Sequence, residues 1–317
     1  MQVFGTTKTG KTVHAITLQA GDLTVTLLTY GARLRDVRLA GVDHSLTTGS
    51  DDLADYEGAM RYHGAIVGPV ANRIGTARVR LDGMMYELER NEQGVRHLHS
   101  GSEGAHAQVW EVVAVTGTTA TLALDMPDGM AGLPGTRRVT AEFALHAPAT
   151  LTLTLTGTSD ATTVMNFANH SYWNLDGGPT WHGHRMKIAA DHYLPIDTGT
   201  CPTGDVADVT GTNMDLRDGP VIGSQTPALD HNFCLSDDIV PQRDVLWLTG
   251  QSGTNMVLAT NMPGLQVFDG HPSYNALAIE AQHWPDAPNH AHFPTVKLAA
   301  GETYQQITSW RFASSDA

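Results

Sequence analysis

A strict two-residue alternation of apolar and polar side chains constrains the fold of this chain more than any other feature. Residues 151–156 read Leu-Thr-Leu-Thr-Leu-Thr, and residues 23–27 read Leu-Thr-Val-Thr-Leu. Because successive side chains on a β-strand point to opposite faces, these segments predict strands that bury one face. Residues 139–146 form a further strand candidate.

Turn residues interrupt two apolar runs at the spacing of β-hairpins. Residues 79–88 turn at Asp82-Gly83, and residues 112–115 connect through Gly117 to residues 120–124. Helical periodicity is nearly missing, and the short helix candidates are residues 53–56 and 68–74. The 32 Gly and 15 Pro residues fall between the strand segments. These patterns predict an all-β fold, a large antiparallel β-sandwich, as one domain over residues 1–317.

Charge and cysteine content exclude several classes of protein. A formal net charge of -14, from 33 acidic and 19 basic residues, disfavours binding to nucleic acid or to an anionic membrane. No apolar leader and no run of 18 apolar residues is visible, so we expect a soluble cytoplasmic protein. Cys201 and Cys234 form no C-x-x-C pair, so we expect reduced thiols and leave their proximity open.

Two segments combine polar and aromatic residues with acid–base chemistry. Residues 169–174 read Asn-His-Ser-Tyr-Trp-Asn and contain His170, and residues 279–286 read Ile-Glu-Ala-Gln-His-Trp-Pro-Asp and contain Glu280. A His can donate a proton near neutral pH, and a Glu with a raised pKa can accept one. Because sugar rings stack on aromatic faces, the two segments indicate proton transfer on a carbohydrate. The structural alternatives are a core His in a turn and a Glu that faces solvent.

Further polar residues have the chemistry of sugar binding. Arg73 lies between Asn72 and Ile74 in a Gly-rich stretch, where its planar fork suits either sugar oxygens or a salt bridge to a carboxylate. Asp230 begins the segment Asp-His-Asn-Phe, either as a site residue or as an Asx turn before a strand that starts at Phe233.

A metal site is the rival interpretation of the paired histidines. His97 and His99 are predicted to share one strand face, but no third ligand stands at a strong spacing. The other spaced pairs, His182 with His184 and His290 with His292, are equally unspecific. We therefore predict no metal.

Seven segments, in one order between residues 64 and 312, resemble the motifs of the aldose 1-epimerases, also called galactose mutarotases. They are Gly-Pro-Val-Ala-Asn-Arg-Ile at 68–74, Leu-His-Ser-Gly at 98–101, the loop from Asp-Gly to Leu-Pro-Gly at 128–135, Asn-His-Ser-Tyr-Trp-Asn-Leu at 169–175, Tyr-Leu-Pro-Ile-Asp with Pro-Thr-Gly within 193–204, Asp-His-Asn-Phe at 230–233, and Glu-Ala-Gln-His-Trp-Pro-Asp at 280–286. Departures from the family pattern at Pro69, Ser100, residues 130–133, Trp173 and Trp284 leave the preferred aldose open.

The resemblance implies a galactose mutarotase-like supersandwich with a concave cleft, and an isomerase that interconverts the anomers of free aldoses. It implies that Glu280 is the general base for the anomeric hydroxyl and that His170 is the general acid for the ring oxygen. The candidate substrate-binding residues are Arg73, Asn72, His99, Asp230, Tyr172 and Gln266. The resemblance requires neither metal nor organic cofactor, and the expected partner is a monosaccharide.

Three other functions stay open on the sequence. An epimerase of hexose 6-phosphates should carry clustered Arg or Lys at its site. A sugar-binding protein without activity should lack Glu280 or His170, and both are present. A glycosidase should use two carboxylates, with Asp230 as the partner of Glu280. The motifs do not set the oligomeric state.

Overall fold

Nearly all regular secondary structure in this protein is β-strand. A computed structural model describes residues 1–223, 228–270 and 275–314. In the first half of the chain the strands are β1 (Gln2–Thr6), β2 (Thr12–Ala20), β3 (Leu23–Leu28), β4 (Arg33–Leu39), β5 (Ile66–Val67), β6 (Arg73–Ile74), β7 (Arg78–Leu81), β8 (Met84–Glu87), β9 (His97–Leu98), β10 (Glu111–Val115), β11 (Thr119–Met126), β12 (Arg137–His146) and β13 (Thr150–Ser159). In the second half they are β14 (Thr163–Val164), β15 (Ala168–Asn169), β16 (Tyr172–Trp173), β17 (Arg185–Ile188), β18 (His192–Tyr193), β19 (Ala207–Asp208), β20 (Asp230–Cys234), β21 (Arg243–Thr249), β22 (Asn255–Thr260), β23 (Gly264–Phe268), β24 (Leu277–Gln282), β25 (Lys297–Leu298) and β26 (Thr303–Ala313).

Helical structure is confined to short segments. The described residues contain the α-helix α1 (Leu53–Tyr56) and 3₁₀ turns at Gly101–Glu103, Ala105–Ala107, Met130–Gly132 and Ala287–Asn289. None of these helices has the length and apolar composition needed to traverse a bilayer.

Three large sheets contain most of the strands. The first is a four-stranded meander in the order β1-β2-β3-β4, and the second has eight strands in the order β10-β11-β12-β13-β26-β22-β21-β17. The third has the order β16-β24-β23-β20-β18-β19. Neighbouring strands in the second and third sheets pair antiparallel, which confirms the predicted all-β, antiparallel fold class.

The alternating pattern produces the expected one-sided burial. On β13, Leu151, Leu153 and Leu155 are at most 1% exposed, whereas the intervening threonines are half-buried. The buried face joins one continuous core to which all three large sheets contribute, for example through Leu18 of β2, Phe143 of β12 and Ile279 of β24. Alternation along single strands therefore generates a core that is shared between sheets.

Most local predictions agree with the structure. The hairpin β7–β8 turns at Asp82 and Gly83, both with positive φ, and β10 and β11 form the second predicted hairpin. Helix α1 begins after Asp52, whose side chain accepts a hydrogen bond from the Ala54 N–H at 2.9 Å. The helix candidate at residues 68–74 is wrong, because positive φ angles at Gly68 and Asn72 are incompatible with a helix.

Leu153→Ala should lower the free energy of unfolding by about 2–5 kcal/mol, because the smaller side chain leaves a cavity in the centre of the largest sheet. Thr154→Ala on the opposite face of the same strand is the matched control and should change it by less than about 1 kcal/mol. Urea unfolding followed by circular dichroism measures both. Equal effects at the two positions would contradict the one-sided burial of β13.

Candidate active site

The register of the six-stranded sheet brings three predicted site residues, Asp230, Gln266 and Glu280, to one face. Gln266 of β23 lies opposite Glu280 of β24, and Asn232 of β20 lies opposite Gln266. Asp230 is two positions from Asn232 and so shares its face. The Gln266 amide donates a hydrogen bond to Asp230 Oδ1 at 2.7 Å. Since Asp230 belongs to β20, the alternative that it forms an Asx turn before a strand starting at Phe233 is wrong.

His170 reaches Glu280 from the neighbouring segment between β15 and β16. Its backbone N–H donates to the Ala65 carbonyl, and its own carbonyl accepts from Gly64 N–H, each at 2.9 Å. Its Nε2 lies 3.5 Å from Glu280 Oε1, and the two side chains are 5% and 2% exposed. The alternative that Glu280 faces solvent is therefore wrong, and the two ionisable groups meet where both are buried.

Asn72 and His99 are joined by two hydrogen bonds, one to the His99 ring and one between their backbones. The Asn72 N–H donates to Nδ1 of His99 at 3.1 Å, and the His99 N–H donates to the Asn72 carbonyl at 3.0 Å. Both residues have positive φ, 60° and 49°. Because β9 ends before His99, His97 and His99 do not share a strand face. His97 instead contacts the Glu89 carbonyl at 2.7 Å, so that prediction is wrong.

These residues enclose a cavity of about 180 Å³. Its lining comprises Tyr62, Asn72, Arg73, Leu98, His99, His170, Tyr172, Asp230, Phe268 and Glu280. All the predicted site residues except Gln266 are in this set, and Gln266 lies behind Asp230. The rings of Tyr62 and Tyr172 stack against His170, with centroids 5.7 and 5.1 Å from its own. The cavity thus combines a buried acid–base pair, apolar ring faces and groups that bind hydroxyls.

Arg73 forms the salt bridge that was the structural alternative for it, and it also lines the cavity. Its Nε lies 2.9 Å from Glu92 Oε2, and its Nη1 lies 3.2 Å from Asp230 Oδ2. Nη1 also donates to the Thr200 carbonyl at 3.4 Å. The guanidinium is therefore fixed on two sides before any ligand binds.

Burial shifts the ionisation of the central groups away from their charged forms. Desolvation raises the pKa of Glu280 well above its usual value; Asp230 raises it further and Arg73 opposes the shift. Desolvation also lowers the pKa of His170 to about 3, and the charge of His63 contributes in the same direction. Nδ1 of His170 and Oε2 of Glu280 are buried without a hydrogen-bond partner among the described residues. Each buried polar atom without a partner calls for a structural or functional explanation.

The cluster of His99, His170 and Glu280 has the residue types of a three-ligand metal site. One side-chain donor atom from each lies within 4.8 Å of the others. The hydrogen-bonding of His99 does not suit a ligand, however, because its Nδ1 accepts the Asn72 N–H. A neutral imidazole then carries its hydrogen on Nε2, so this ring offers a hydrogen-bond donor to the cavity rather than a free lone pair.

Several site residues were not found from the sequence. Tyr62 lies in a turn that the Arg33 side chain stabilises. Arg33 donates hydrogen bonds to the carbonyls of Met60 at 3.2 Å, Arg61 at 3.0 Å and His63. Leu98, Phe268 and Glu92 were also missed. The one sequence signal near Tyr62 is its position beside His63, and no local pattern marks a residue that reaches the site across the chain.

A larger cleft of about 390 Å³ lies between β4, residues 44–51 and residues 174–178. Its arginines are already paired, Arg35 with Asp51 and Arg38 with Asp36. It does not contain the buried acid–base pair, so the smaller cavity is the better candidate for chemistry.

Comparison with known proteins identifies the family of the chain. The family model described as aldose 1-epimerase matches residues 14–311. The chain is 32% identical to galactose mutarotase of Bos taurus, covering 98% of this chain and 97% of that protein. It is 31% identical to aldose 1-epimerase of Escherichia coli K12, with 96% of each covered.

Solved structures show the same fold. The structure of an aldose epimerase homologue from C. elegans superimposes with a TM-score of 0.88 at 28% identity, covering 95% of this chain and 99% of that one. The structure of galactose 1-epimerase from Lactobacillus acidophilus NCFM gives a TM-score of 0.86 at 26% identity, covering 98% and 97%.

Glu280→Gln should stabilise the protein increasingly as pH rises. Below the pKa of a Glu in the unfolded chain, about 4.3, both states are protonated and the carboxyl has no effect. Above it the unfolded chain ionises first, because burial raises the pKa of the folded carboxyl, and the native protein loses stability with pH. Because the amide introduced by Glu280→Gln does not ionise, the variant does not lose this stability as pH rises.

Urea unfolding at pH 4 and pH 8 measures the effect, with Glu142→Gln as the control because Glu142 is exposed on β12. The difference between Glu280→Gln and wild type should be larger at pH 8 than at pH 4. A difference that does not change with pH would show that Glu280 is not held in its neutral form.

Proposed function

The chain belongs to the aldose 1-epimerase family of isomerases, and we propose that it interconverts the α and β anomers of free aldoses through Glu280 and His170. The observation that carries this proposal is the 3.5 Å approach of His170 Nε2 to Glu280 Oε1 inside a cavity lined by hydrogen-bonding side chains and aromatic rings.

The reaction requires one proton to leave the anomeric hydroxyl and another to reach the ring oxygen. Ionised Glu280 removes the first and protonated His170 supplies the second, so the ring opens to a free aldehyde. Rotation about the C1–C2 bond and closure on the other face invert the anomer. On closure the two groups exchange roles, as microscopic reversibility requires.

The shifted pKa values indicate where the shared proton rests. Because burial raises the pKa of Glu280 and lowers that of His170, the empty site favours a neutral carboxyl beside a neutral imidazole. This is the protonation state that accompanies the open-chain aldehyde. A closed sugar that donates its anomeric hydroxyl to Glu280 and accepts at its ring oxygen stabilises the other state, with the proton on His170.

The remaining lining residues fit the hydroxyls and the ring of an uncharged sugar. His99 offers Nε2–H, Asp230 offers carboxylate oxygens, and the rings of Tyr62 and Tyr172 provide apolar faces. Arg73 is the one cation in the described cavity lining, and it is already paired with two carboxylates. A phosphate clamp needs uncompensated positive charge, so this arrangement favours free aldoses over hexose phosphates.

Polarimetry on freshly dissolved α-anomers of several aldoses tests the proposal directly. We expect the wild type to accelerate mutarotation, and Glu280→Gln and His170→Asn each to reduce kcat/KM by about 10²–10⁴-fold, the usual contribution of one positioned proton-transfer group.

Glu142→Gln and His146→Asn change the same residue types at exposed positions of β12 and should retain full activity. Acceleration that survives in both site variants would exclude Glu280 and His170 as the pair. No acceleration with any free aldose would exclude the proposed reaction.

The pH dependence of kcat/KM provides a second test. A pair that shares one proton should be active between its two macroscopic pKa values, with the lower limb set by the pKa of His170 at about 3 and the upper limb by the raised pKa of Glu280. We therefore expect kcat/KM to rise through the low pKa of His170, to reach a plateau by about pH 5, and to fall only through the raised pKa of Glu280. An ascending limb centred near the ordinary His value of about 6.5 would contradict a neutral, buried His170.

A further inference from the structure

Glu92 forms the most extensive contact of the Arg73 guanidinium, although it does not line the cavity. Arg73 Nε lies 2.9 Å from Glu92 Oε2 and 3.1 Å from Oε1, and Nη2 lies 3.0 Å from Oε1. The other side of the guanidinium, at Nη1, is bound to Asp230 and to the Thr200 carbonyl. An Arg has five N–H donors, so these contacts leave one N–H of Nη2 for a ligand.

The three charges form a compact group with a net charge of one negative unit. The side chains of Arg73, Glu92 and Asp230 are 12%, 17% and 19% exposed, so bulk water screens them only partly. The two carboxylates raise the pKa of Arg73 above its usual value in spite of burial, which keeps the guanidinium charged. Asp230 is needed at the cavity wall, so Glu92 is the carboxylate that makes the group negative.

We propose that Glu92 is a specificity-determining residue, which acts through Arg73 to make the site reject aldoses that carry a negative charge. This inference rests on the proposed function, since it concerns the substrate range of the same cavity. Without Glu92, Arg73 and Asp230 would balance to neutrality. With it, an anionic sugar meets net repulsion where a neutral sugar meets hydrogen-bonding groups alone.

Hexuronic acids are suitable probes because a carboxylate replaces the hydroxymethyl group of the hexose with little change in size. The experiment compares kcat/KM for galactose with galacturonate, and for glucose with glucuronate, at pH 7 in wild type and Glu92→Gln. We expect the uronate-to-hexose ratio to rise about tenfold in the variant, as one unit charge acting over several ångströms at a partly buried site produces. Gln keeps one acceptor at the position of Oε1, which receives two of the three contacts from Arg73, and it removes the charge.

Two control variants separate charge repulsion at Arg73 from other effects. Glu92→Asp keeps the charge and should keep the wild-type ratio, even if KM changes for both sugars. Glu89→Gln removes the charge of a nearby carboxylate that binds Ser102 rather than Arg73, and it should leave the ratio within about threefold of wild type. An equal rise in Glu89→Gln would assign the effect to the net charge of the protein and overturn the proposal.

The outcomes distinguish this inference from the proposed reaction. If Glu92→Gln changes KM for neutral hexoses but leaves the ratio unchanged, Glu92 only positions Arg73 and the proposal is wrong. If wild type accelerates no free aldose, the proposed reaction fails, and the ratio of dissociation constants for hexose and hexuronate, measured by calorimetry, still tests Glu92. If Glu92→Gln does not fold, the wild-type ratio should rise with added salt, and a ratio independent of salt would overturn the proposal.

Discussion

Glu280 occupies the middle of a strand in which every residue is buried, and His170 Nε2 lies 3.5 Å from its Oε1. An ionised carboxylate in such a place costs several kcal/mol unless it is compensated. The pair avoids this cost by holding one proton between two groups that are both neutral when the site is empty. The proposed ring opening also needs at least two groups of this kind, which are neutral together and become an ion pair when one proton moves between them. Stability and chemistry therefore impose the same arrangement.

The cavity walls depend on backbone geometry that helices and strands do not supply. Asn72 and His99 both adopt positive φ and hydrogen-bond to each other, which fixes the tautomer of the His99 ring and its direction. Positive φ at residues other than glycine is sparsely populated and persists where the surroundings determine it. The turn that carries Tyr62 is held in a comparable way, by the buried guanidinium of Arg33 and three backbone carbonyls. Hydrogen bonds in these irregular segments thus fix the positions of the cavity side chains more precisely than local backbone propensity alone would.

The sequence predicts local structure well because alternation and turn chemistry are local properties. It identified β13, the hairpin at Asp82 and Gly83, and seven of the ten residues that line the cavity. It could not predict that β26 lies between β13 and β22, since that pairing joins residues more than 140 positions apart. Glu92 and Tyr62 were missed for the same reason. Each lies at the site through contacts with residues distant in sequence, and no local sequence pattern indicates those contacts. The prediction that His97 and His99 share one strand face was wrong because β9 ends at Leu98, between them.

In the reaction that we propose, the sugar-binding residues and the proton-transfer pair form one electrostatic system. Asp230 raises the pKa of Glu280 and Arg73 lowers it, while Gln266, opposite Glu280 in the sheet, donates to Asp230. In the proposed reaction, a sugar hydroxyl that donates to Asp230 would disperse its charge and weaken its effect on Glu280, so Glu280 would ionise more readily with sugar bound. Binding at hydroxyls remote from the anomeric carbon would then move the shared proton toward His170, which is the state proposed to open the ring. A substrate that leaves Asp230 without a hydroxyl partner should lose rate at the chemical step as well as affinity, because binding and proton transfer draw on the same charges.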